Sequence, residues 1–560
     1  MASNIISSCL STLPTELLYR ILDNLDSETI LFRFGYVCRR FRSLVQTYNH
    51  YQFNFKSTSK PFFHSLCRRI QPETISSLIL SDDNQTPDQI KLFLTQFHLK
   101  EFTCLRSLTL LEIDENDFQT LVPSVNLLSS LTLTFRNHTF RPQQTLPLLS
   151  TMIAHPHLRS LDLTLSTPKL RELSWPNPCF LQTLILANQL DFQQYLNILT
   201  HSIHLKKFVL HDCCIGEGRT ILPTHSFPQL ISLTFEDSVL DMDDCQMILS
   251  LTPSLEYFQI VGGTNLVDGT RWEQFIQTKL VHLKQFQFAF CGTAEGINDE
   301  ASNVGTLITS FQTPFWLQIK RWFVVCYYFK QSENFSLYSL PICKANVRFY
   351  PHRDKISCST HPDLNQDESS RNNVREMQLN LTNLMANNEE EEERHIIRYP
   401  LFRKLNKLIL CVDQDWPVGS IEHLSLFLDL STITDLSISI DFRPESISDT
   451  FDQLAEFFQR ISRLHSLTID SATIDVDKLC SIIPKNVKHL QVPVKNIEDM
   501  KMIIERMKQL NSVTFEHFNR AKILSSEFSN WLTENRQQST CRIDLMYMSI
   551  WFDQINQRNV

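Results

Sequence analysis

The stretch Leu105-Arg-Ser-Leu108-Thr-Leu110 has apolar residues at its first, fourth and sixth positions. This phrase occurs fifteen times in the 560 residues, and its copies start at Ile75, Leu105, Leu128, Leu158, Leu181, Leu205, Leu230, Leu255, Leu283, Val374, Leu405, Ile433, Leu464, Val487 and Leu510. Except across the gap between Leu283 and Val374, consecutive copies start 23 to 31 residues apart. Self-similarity at a regular period indicates a repeat architecture. We therefore interpret most of the chain as an array of similar units.

Each unit is predicted to contain one strand and one helix. Within the phrase, Leu108 and Leu110 are two residues apart and therefore lie on the same face of a strand. Between phrases, segments such as residues 191–199 and 497–507 carry apolar residues three and four apart, which is typical of an amphipathic helix. The predicted fold class is α/β, with a strand plus a helix in every repeat.

The repeat resembles the leucine-rich-repeat family, and the longer, helix-containing class of that family fits the spacing best. One copy carries the full family phrase, Leu205-Lys-Lys-Phe208-Val-Leu210-His-Asp-Cys213-Cys-Ile215, with Cys213 at the position usually held by Asn or Cys. Ser238 and Ala472 take this position in two other repeats. The resemblance implies an irregular horseshoe solenoid. An all-helical solenoid is the alternative, but it does not explain the strand-like phrases.

The copies form two blocks, which we expect at residues 70–295 and 373–550. Between them, residues 296–372 have room for about three degenerate repeats with a polar loop, at roughly 30 residues each. Residues 321–329 and 346–350 are predicted to be the strands of this middle region. The acidic run Glu389 to Glu393 is expected to be a solvated loop, because blocks of like charge repel one another.

The amino-terminal region has a different pattern. It contains Leu13-Pro-Thr-Glu-Leu-Leu-Tyr-Arg-Ile-Leu-Asp-Asn-Leu25 and, further on, Val37-Cys-Arg-Arg-Phe41. Proline and glutamate suit the first turn of a helix, where an N–H is unpaired and negative charge meets the helix dipole. Ser27 is predicted to cap a second helix, and a third is predicted to bury Val37, Phe41, Leu44, Val45 and Tyr48. A region of so few residues is rarely stable by itself, and it must pack against a neighbouring part of the chain or a partner.

These two motifs resemble the F-box family, whose pattern begins Leu-Pro-x-Glu and ends in a Val-Cys-x-x-aromatic helix. Phe41 stands where tryptophan is commoner. The resemblance places an all-helical F-box at residues 11–56 and implies docking onto the Skp-type adaptor of a cullin-RING ubiquitin ligase. The adaptor-binding residues that it implies are Leu13, Pro14, Glu16, Leu17, Ile21, Leu25, Val37, Cys38 and Phe41. The alternative is a helical cap that only supports the repeats.

Composition argues against several other functions. The net charge is −9, so neither a nucleic acid nor a membrane surface is an expected partner. The chain has ten glycines, no glycine-rich phosphate loop and no Cys-x-x-Cys pair, and His201, His204, His211, Cys213 and Cys214 do not match zinc spacing. No arrangement for nucleophilic catalysis is recognisable. We expect no enzymatic activity, no cofactor and no bound metal.

No secretory signal is visible in the first eleven residues, and the longest apolar run, Trp322 to Phe329, is too short to span a membrane. The expected location is therefore the cytoplasm or the nucleus, with the cysteines reduced.

The strand face opposite the apolar side chains is the expected target-binding surface, since solenoids commonly bind there. The candidate target-binding residues are Asp162, Lys207, His211, Tyr257, Asp435 and Asp470. Because few of the residues on this face are basic, a target with a neutral or basic surface is favoured over a phosphate-rich one. The predicted function is that of a substrate-recognition subunit of an SCF-type ubiquitin ligase. The alternative is a non-catalytic repeat scaffold whose F-box acts outside ubiquitination.

Overall fold

A computed structural model provides the structure of the chain. It describes residues 10–121, 127–136, 142–165, 172–187, 190–211, 226–293, 305, 307–329, 334–343, 346–348, 355–362, 374–382, 402, 404–413, 416–440, 447–471, 475–517, 526–536, 538–544 and 546–553. The chain divides into two compact units, Met1–Gln182 and Thr183–Val560. Each unit mixes helices with strands.

The first unit begins with helices. They are Thr15–Leu22, Ser27–Thr29, the π-helix Ile30–Phe34, Gly35–Val37 and Arg39–Thr47. The cap of the second helix differs from the prediction by one residue. The Asp26 carboxylate accepts hydrogen bonds from the Thr29 N–H at 2.6 Å and the Thr29 hydroxyl at 2.8 Å, because a carboxylate offers two acceptor oxygens at the cap position. Ser27 is buried and bonds to a strand instead.

Five strands follow in the first unit, and they pair in parallel and in chain order. They are β1 (Tyr51–Asn54), β2 (Ile75–Ser81), β3 (Ser107–Ile113), β4 (Ser130–Phe135) and β5 (Ser160–Thr164). The helices between them are Lys60–Cys67, Gln89–Gln96, Glu115–Leu121 and Pro142–Ile153. A helix in each connection is what parallel neighbours require, since the chain must return to the starting edge.

The second unit opens with five more parallel strands in chain order. They are β6 (Thr183–Ala187), β7 (Lys207–His211), β8 (Ser232–Glu236), β9 (Tyr257–Gly262) and β10 (Gln285–Thr293). Helices Phe192–His201, Met242–Ser250 and Gly269–Lys279 lie in the connections, and a π-helix, Phe315–Lys320, follows β10.

The described part of residues 296–372 does not continue this parallel pattern. Strands β11 (Val324–Phe329), β12 (Asn334–Ser339) and β14 (Lys355–Ser359) extend the sheet in the order β10-β12-β11-β14, and all three pairs are antiparallel. The prediction of a strand within residues 321–329 is correct, but the strand is not part of a strand-plus-helix unit. Only four residues separate β11 from β12, too few for the crossover of about a dozen residues that parallel neighbours need.

A second sheet completes this unit. Its parallel strands are β13 (Asn346–Arg348), β15 (Glu376–Asn380), β16 (Lys407–Val412), β17 (Asp435–Ile440), β18 (Ser466–Asp470), β19 (His489–Val494) and β20 (Ser512–His517). Strands β22 (Tyr547–Trp551) and β21 (Thr540–Ile543) follow β20 in antiparallel pairs. The helices are Ser420–Phe427, Ile447–Arg460, Val476–Ile482, Ile497–Arg506 and Ser526–Asn535. Strand β13 lies in the predicted 346–350 segment, whose last two residues are outside the described part.

The repeated phrase has a constant position on the strands. In every copy after the first, the strand begins two residues after the first apolar residue of the phrase, as at Ser107, Lys207 and Asp435. In most pairs of consecutive copies, the N–H of the second residue donates to the carbonyl of the same position in the preceding copy. Examples are Ser129 to Arg106 at 2.8 Å and His465 to Thr434 at 2.8 Å. Successive phrases are therefore held in the same register.

The fourth and sixth residues of the phrase form the core. Leu108 and Leu110, like Leu436 and Ile438, are buried, while the residues between them are half-buried on the other face. This is the alternation that a strand with one covered face produces. The proposed boundaries of the repeat blocks, 70–295 and 373–550, stay predictions.

Candidate functional site

The helix Thr15–Leu22 has apolar residues on two faces. Leu18 and Leu22, four residues apart, are completely buried. Leu17 is 43% exposed, and it lies one turn after the exposed Pro14, whose carbonyl accepts its N–H. One face therefore belongs to the core of the unit, and the other presents apolar surface to solvent.

A side-chain bond joins the two ends of the amino-terminal motif. The Arg40 guanidinium donates to the Leu13 carbonyl at 2.5 Å. It therefore brings the Leu13-Pro14 segment to the first turn of the helix Arg39–Thr47, three residues beyond Val37. The side chain of Cys38 caps that helix by accepting the Phe41 N–H at 3.5 Å.

Val37 departs from its predicted place in a helix core. It is 69% exposed, because the helical segment Gly35–Val37 ends there and Cys38 is extended. Tyr36 is also exposed, and sequence reasoning did not select it. Its hydroxyl accepts a hydrogen bond from Arg69 at 3.3 Å. An aromatic residue next to the Val-Cys motif is the signal that could have identified it.

Phe41 is a core residue. It is 4% exposed and stacks on Phe34 with the ring centroids 4.3 Å apart. Taken together, the sequence-selected adaptor-binding residues fall into three groups: Pro14, Glu16, Leu17, Leu25 and Val37 are exposed, Leu13, Ile21 and Cys38 are half-buried, and Phe41 is buried. The exposed and half-buried residues are available to a partner, whereas Phe41 supports the helices from inside.

The helices are anchored to each other and to the first strand. The Tyr48 hydroxyl donates to Asp23 at 2.9 Å, and burial raises the pKa of Tyr48, so the hydroxyl remains a donor. The Ser27 hydroxyl donates to the Gln52 carbonyl at 2.7 Å, and its oxygen accepts the Gln52 N–H at 2.8 Å. Residue 52 belongs to β1, which pairs with β2. The amino-terminal cluster thus packs on the strands that follow it, as its small size requires.

The strand residues selected as target-binding candidates lie on the face opposite the apolar core, as the alternation predicts. Lys207 and Asp470 are exposed, and Asp162, His211, Tyr257 and Asp435 are half-buried. They are distributed over the chain: Asp162 lies in the first unit, Lys207, His211 and Tyr257 in the first sheet of the second unit, and Asp435 and Asp470 in the second sheet.

Strands β7, β8 and β9 form a cavity of about 350 Å³ on this face, which we call the strand-face groove. Its lining residues are Lys207, Val209, Ser232, Thr234, Glu236, Tyr257 and Gln259. All seven belong to the strand face that the phrase predicts to be turned away from the core. Sequence reasoning did not find the cavity itself, because its depth depends on side chains from three strands.

Three polar contacts order the strand-face groove. His211 Nδ1 lies 2.9 Å from Glu236 Oε2. The Tyr257 hydroxyl lies 2.6 Å from Gln259 Oε1 and 2.8 Å from Gln287 Oε1. Burial raises the pKa of Tyr257 to about 12, so the hydroxyl is protonated at neutral pH and donates its proton to these two amide oxygens.

In the second sheet, the pKa of one carboxyl group is shifted by burial and by a neighbouring carboxylate. Burial, together with the charge of Asp470, raises the pKa of Glu516 above its ordinary value. On β19, which lies between β18 and β20, the register partner of Glu516 is Pro493. Proline carries no charge that could offset the repulsion between the two carboxylates. Two acidic residues, Asp470 and Glu516, therefore lie close enough on the strands of the second sheet for one charge to affect the other group's pKa.

Within the described residues, no group of three or more His, Cys, Asp or Glu side chains could hold a metal ion. Of the histidine and cysteine cluster noted in the sequence, His211 pairs with Glu236, while Cys213 and Cys214 are outside the described residues. No helix in the described part of the chain is both long enough and apolar enough to cross a membrane.

Comparison with known proteins identifies one domain. Residues 10–60 match the model of the F-box domain family. No curated protein matches the chain. The resemblance to the F-box family is confirmed, and an F-box domain suggests a role in substrate recognition by an SCF-type ubiquitin ligase. F-box domains generally bind Skp-type adaptors in such complexes. The match does not extend to the repeats, so their leucine-rich-repeat assignment stays a prediction.

Proposed function

We propose that this protein is the substrate-recognition subunit of an SCF-type ubiquitin ligase. The F-box region binds the Skp-type adaptor and, through it, a cullin, and the strand faces of the repeats bind a protein target. The protein itself has no catalytic role and works in the cytoplasm or the nucleus. The observation that carries the proposal is the set of exposed apolar side chains on the F-box helices, within a region that matches the F-box family.

The exposed apolar residues support an interface. Leu17, Leu25, Tyr36 and Val37 are each at least 36% exposed in a region of about fifty residues. Exposed apolar side chains are suited to a protein-binding surface, because contact with a partner removes them from water. The Arg40 bond to Leu13 holds both ends of the motif together, so the partner meets an ordered surface.

The repeated strand register supports the leucine-rich-repeat assignment of the remainder. In fourteen copies the strand begins two residues after the first residue of the phrase. The backbone hydrogen bonds between the second residues of successive phrases occur in both compact units. We propose that the strand-plus-helix repeats form an irregular solenoid whose strand faces bind the target. The antiparallel strands β11, β12 and β14 would interrupt it.

The first prediction tests the adaptor surface. We expect Leu17→Glu combined with Val37→Glu to weaken capture of a purified Skp-type adaptor by about tenfold or more, because a charge would be buried in an apolar contact. Binding is measured by biolayer interferometry. Both side chains are exposed, so the thermal unfolding midpoint should not change.

Val239→Glu is the matched control, since Val239 is 80% exposed and lies in the second unit. It should leave adaptor capture unchanged. If the double variant and the wild type bind the adaptor with equal affinity, the surface that carries Leu17 and Val37 does not bind the adaptor. If the wild type captures the adaptor but never co-purifies with a cullin, the scaffold function outside ubiquitination replaces the proposal.

A further inference from the structure

The strand-face groove has charges of opposite sign at its two ends. Lys207 is the register partner of Ser232, and Glu236 lies four residues further along β8. Four steps of a strand span about 13 Å. A ligand that uses both ends must therefore extend along the strands for about this length.

The positive end is suited to a carboxylate. The Lys207 side chain is exposed, and its ammonium group has no ion-pair partner among the described residues. The hydroxyl of Ser232 is on the neighbouring strand, and no arginine lines the cavity. A single ammonium with a hydroxyl matches one negative charge, whereas phosphate recognition generally uses arginine forks or clustered cations.

The negative end is suited to a basic side chain. One oxygen of the Glu236 carboxylate, Oε2, lies 2.9 Å from His211 Nδ1. An ionised carboxylate has about four acceptor positions, so it can also accept bonds from an ammonium or guanidinium group of a ligand. The His211 contact fixes the carboxylate in place before any ligand arrives.

Between the two charged ends, both apolar and polar side chains form the floor of the strand-face groove. Val209 and Thr234 are only 7% and 5% exposed although they lie on the open face. A short branched side chain would fit over this isopropyl group and this methyl group. Tyr257 forms one side, with its hydroxyl in contact with Gln259.

The groove is open on one side and closed on the other. Beyond Tyr257 and Gln259, the same face of β9 carries Val261, which packs with Ala289, Val325, Tyr338 and Ile342 in a small apolar cluster. The chain after β12 supplies Ile342, so it covers this part of the face. An occupant is therefore confined to β7, β8 and the exposed part of β9.

We propose that the strand-face groove binds an extended segment of the target with an acidic and a basic residue four positions apart and a short branched residue midway. In an extended peptide, residues i, i+2 and i+4 face the same way and also span about 13 Å. The charges of the segment thus match Lys207 and Glu236. This inference rests on the proposed target-binding function and names the class of target segment.

The test uses fluorescein-labelled peptides and the full chain without adaptor. One probe is Ser-Gly-Glu-Ser-Val-Ser-Lys-Gly-Ser, and the second has the reverse order, because the groove does not fix the direction of the segment. A third has the same composition with Glu and Lys adjacent. By fluorescence polarisation, we expect one of the first two to bind about tenfold more tightly than the third.

Charge variants identify the residues. Lys207→Glu and Glu236→Lys should each weaken binding of the preferred peptide by about tenfold. The two changes together should reverse the preference between the two peptide orders. Lys206→Glu, an equal charge change on an exposed residue outside the cavity, should leave binding unchanged.

Equal binding of the three peptides, or none up to about 1 mM, would overturn the proposal. Tighter binding when phosphoserine replaces the glutamate would overturn the carboxylate assignment. Because the adaptor is absent, failure of the ligase function would appear separately, as lost adaptor or cullin capture.

Discussion

At the scale of single residues, the F-box motif contains both core and surface positions. Phe41 fits the family pattern as an aromatic anchor, but its ring is buried against Phe34. Val37, four residues earlier, is exposed. The motif therefore combines residues that hold the helices together with residues that a partner can reach.

The second prediction separates these two roles. Phe41→Ala should lower the free energy of unfolding of the helical region by about 3–5 kcal/mol, because it removes a buried ring and leaves a cavity. Hydrogen exchange of the peptides that cover residues 15–47 measures this loss. Val37→Ala should change stability by about 0.5 kcal/mol or less. Similar effects of the two substitutions would show that Phe41 is not in the core.

The third prediction concerns Glu516, whose pKa is raised by burial and by Asp470. The folded state holds its proton to a higher pH than the unfolded state, so the charged form is destabilising at neutral pH. Glu516→Gln should therefore raise the unfolding midpoint at pH 7. The gain should shrink as the pH falls to the ordinary carboxyl pKa of 4.5.

Urea unfolding at several pH values measures this effect. Glu505→Gln is the control, since Glu505 is an exposed glutamate on a neighbouring helix. A stabilisation by Glu516→Gln that stays constant from pH 7 to acid pH would contradict the electrostatic cause.

At the scale of elements, the edge strand β1 obtains a substitute for a neighbouring strand. The Ser27 hydroxyl both donates to and accepts from the backbone of Gln52. A single side chain thereby bonds to the N–H and the carbonyl of Gln52, which are the groups that an added strand would use. This covers a strand edge that could otherwise pair with another chain.

The fourth prediction follows from this contact. Ser27→Ala should cost about 1 kcal/mol and should accelerate hydrogen exchange of the Gln52 amide, because water must replace both bonds. Exchange is followed by mass spectrometry or NMR. Ser43→Ala, at an exposed helix position, should change neither quantity. Unaltered protection at Gln52 would mean that the hydroxyl does not protect the edge.

At the scale of the whole molecule, the two proposed binding surfaces belong to different compact units. The F-box region is in Met1–Gln182, and the strand-face groove is in Thr183–Val560. A substrate receptor needs two separate surfaces, one for the ligase and one for the target. The acidic character, with a net charge of −9, agrees with a target surface that is neutral or basic.

The sequence by itself determined where the strands of the repeated phrase lie and that the fourth and sixth residues of the phrase are buried. Both follow from local rules: the period of two in phrases such as Leu105 to Leu110, and the offset between the phrase and its strand. The F-box was equally recognisable, because its motif depends on the order of residues in one short segment.

Only the tertiary structure decided which F-box residues are exposed, how β11 and β12 pair, and that side chains of β7, β8 and β9 line an open groove. Leu17 and Leu18 are identical in type, yet one is exposed and the other buried, because burial depends on what packs against each side chain. The cavity likewise needs residues from three strands, and Ile342 covers Val261 from about eighty positions away in the chain. Such contacts between distant residues leave no periodic signal in the sequence.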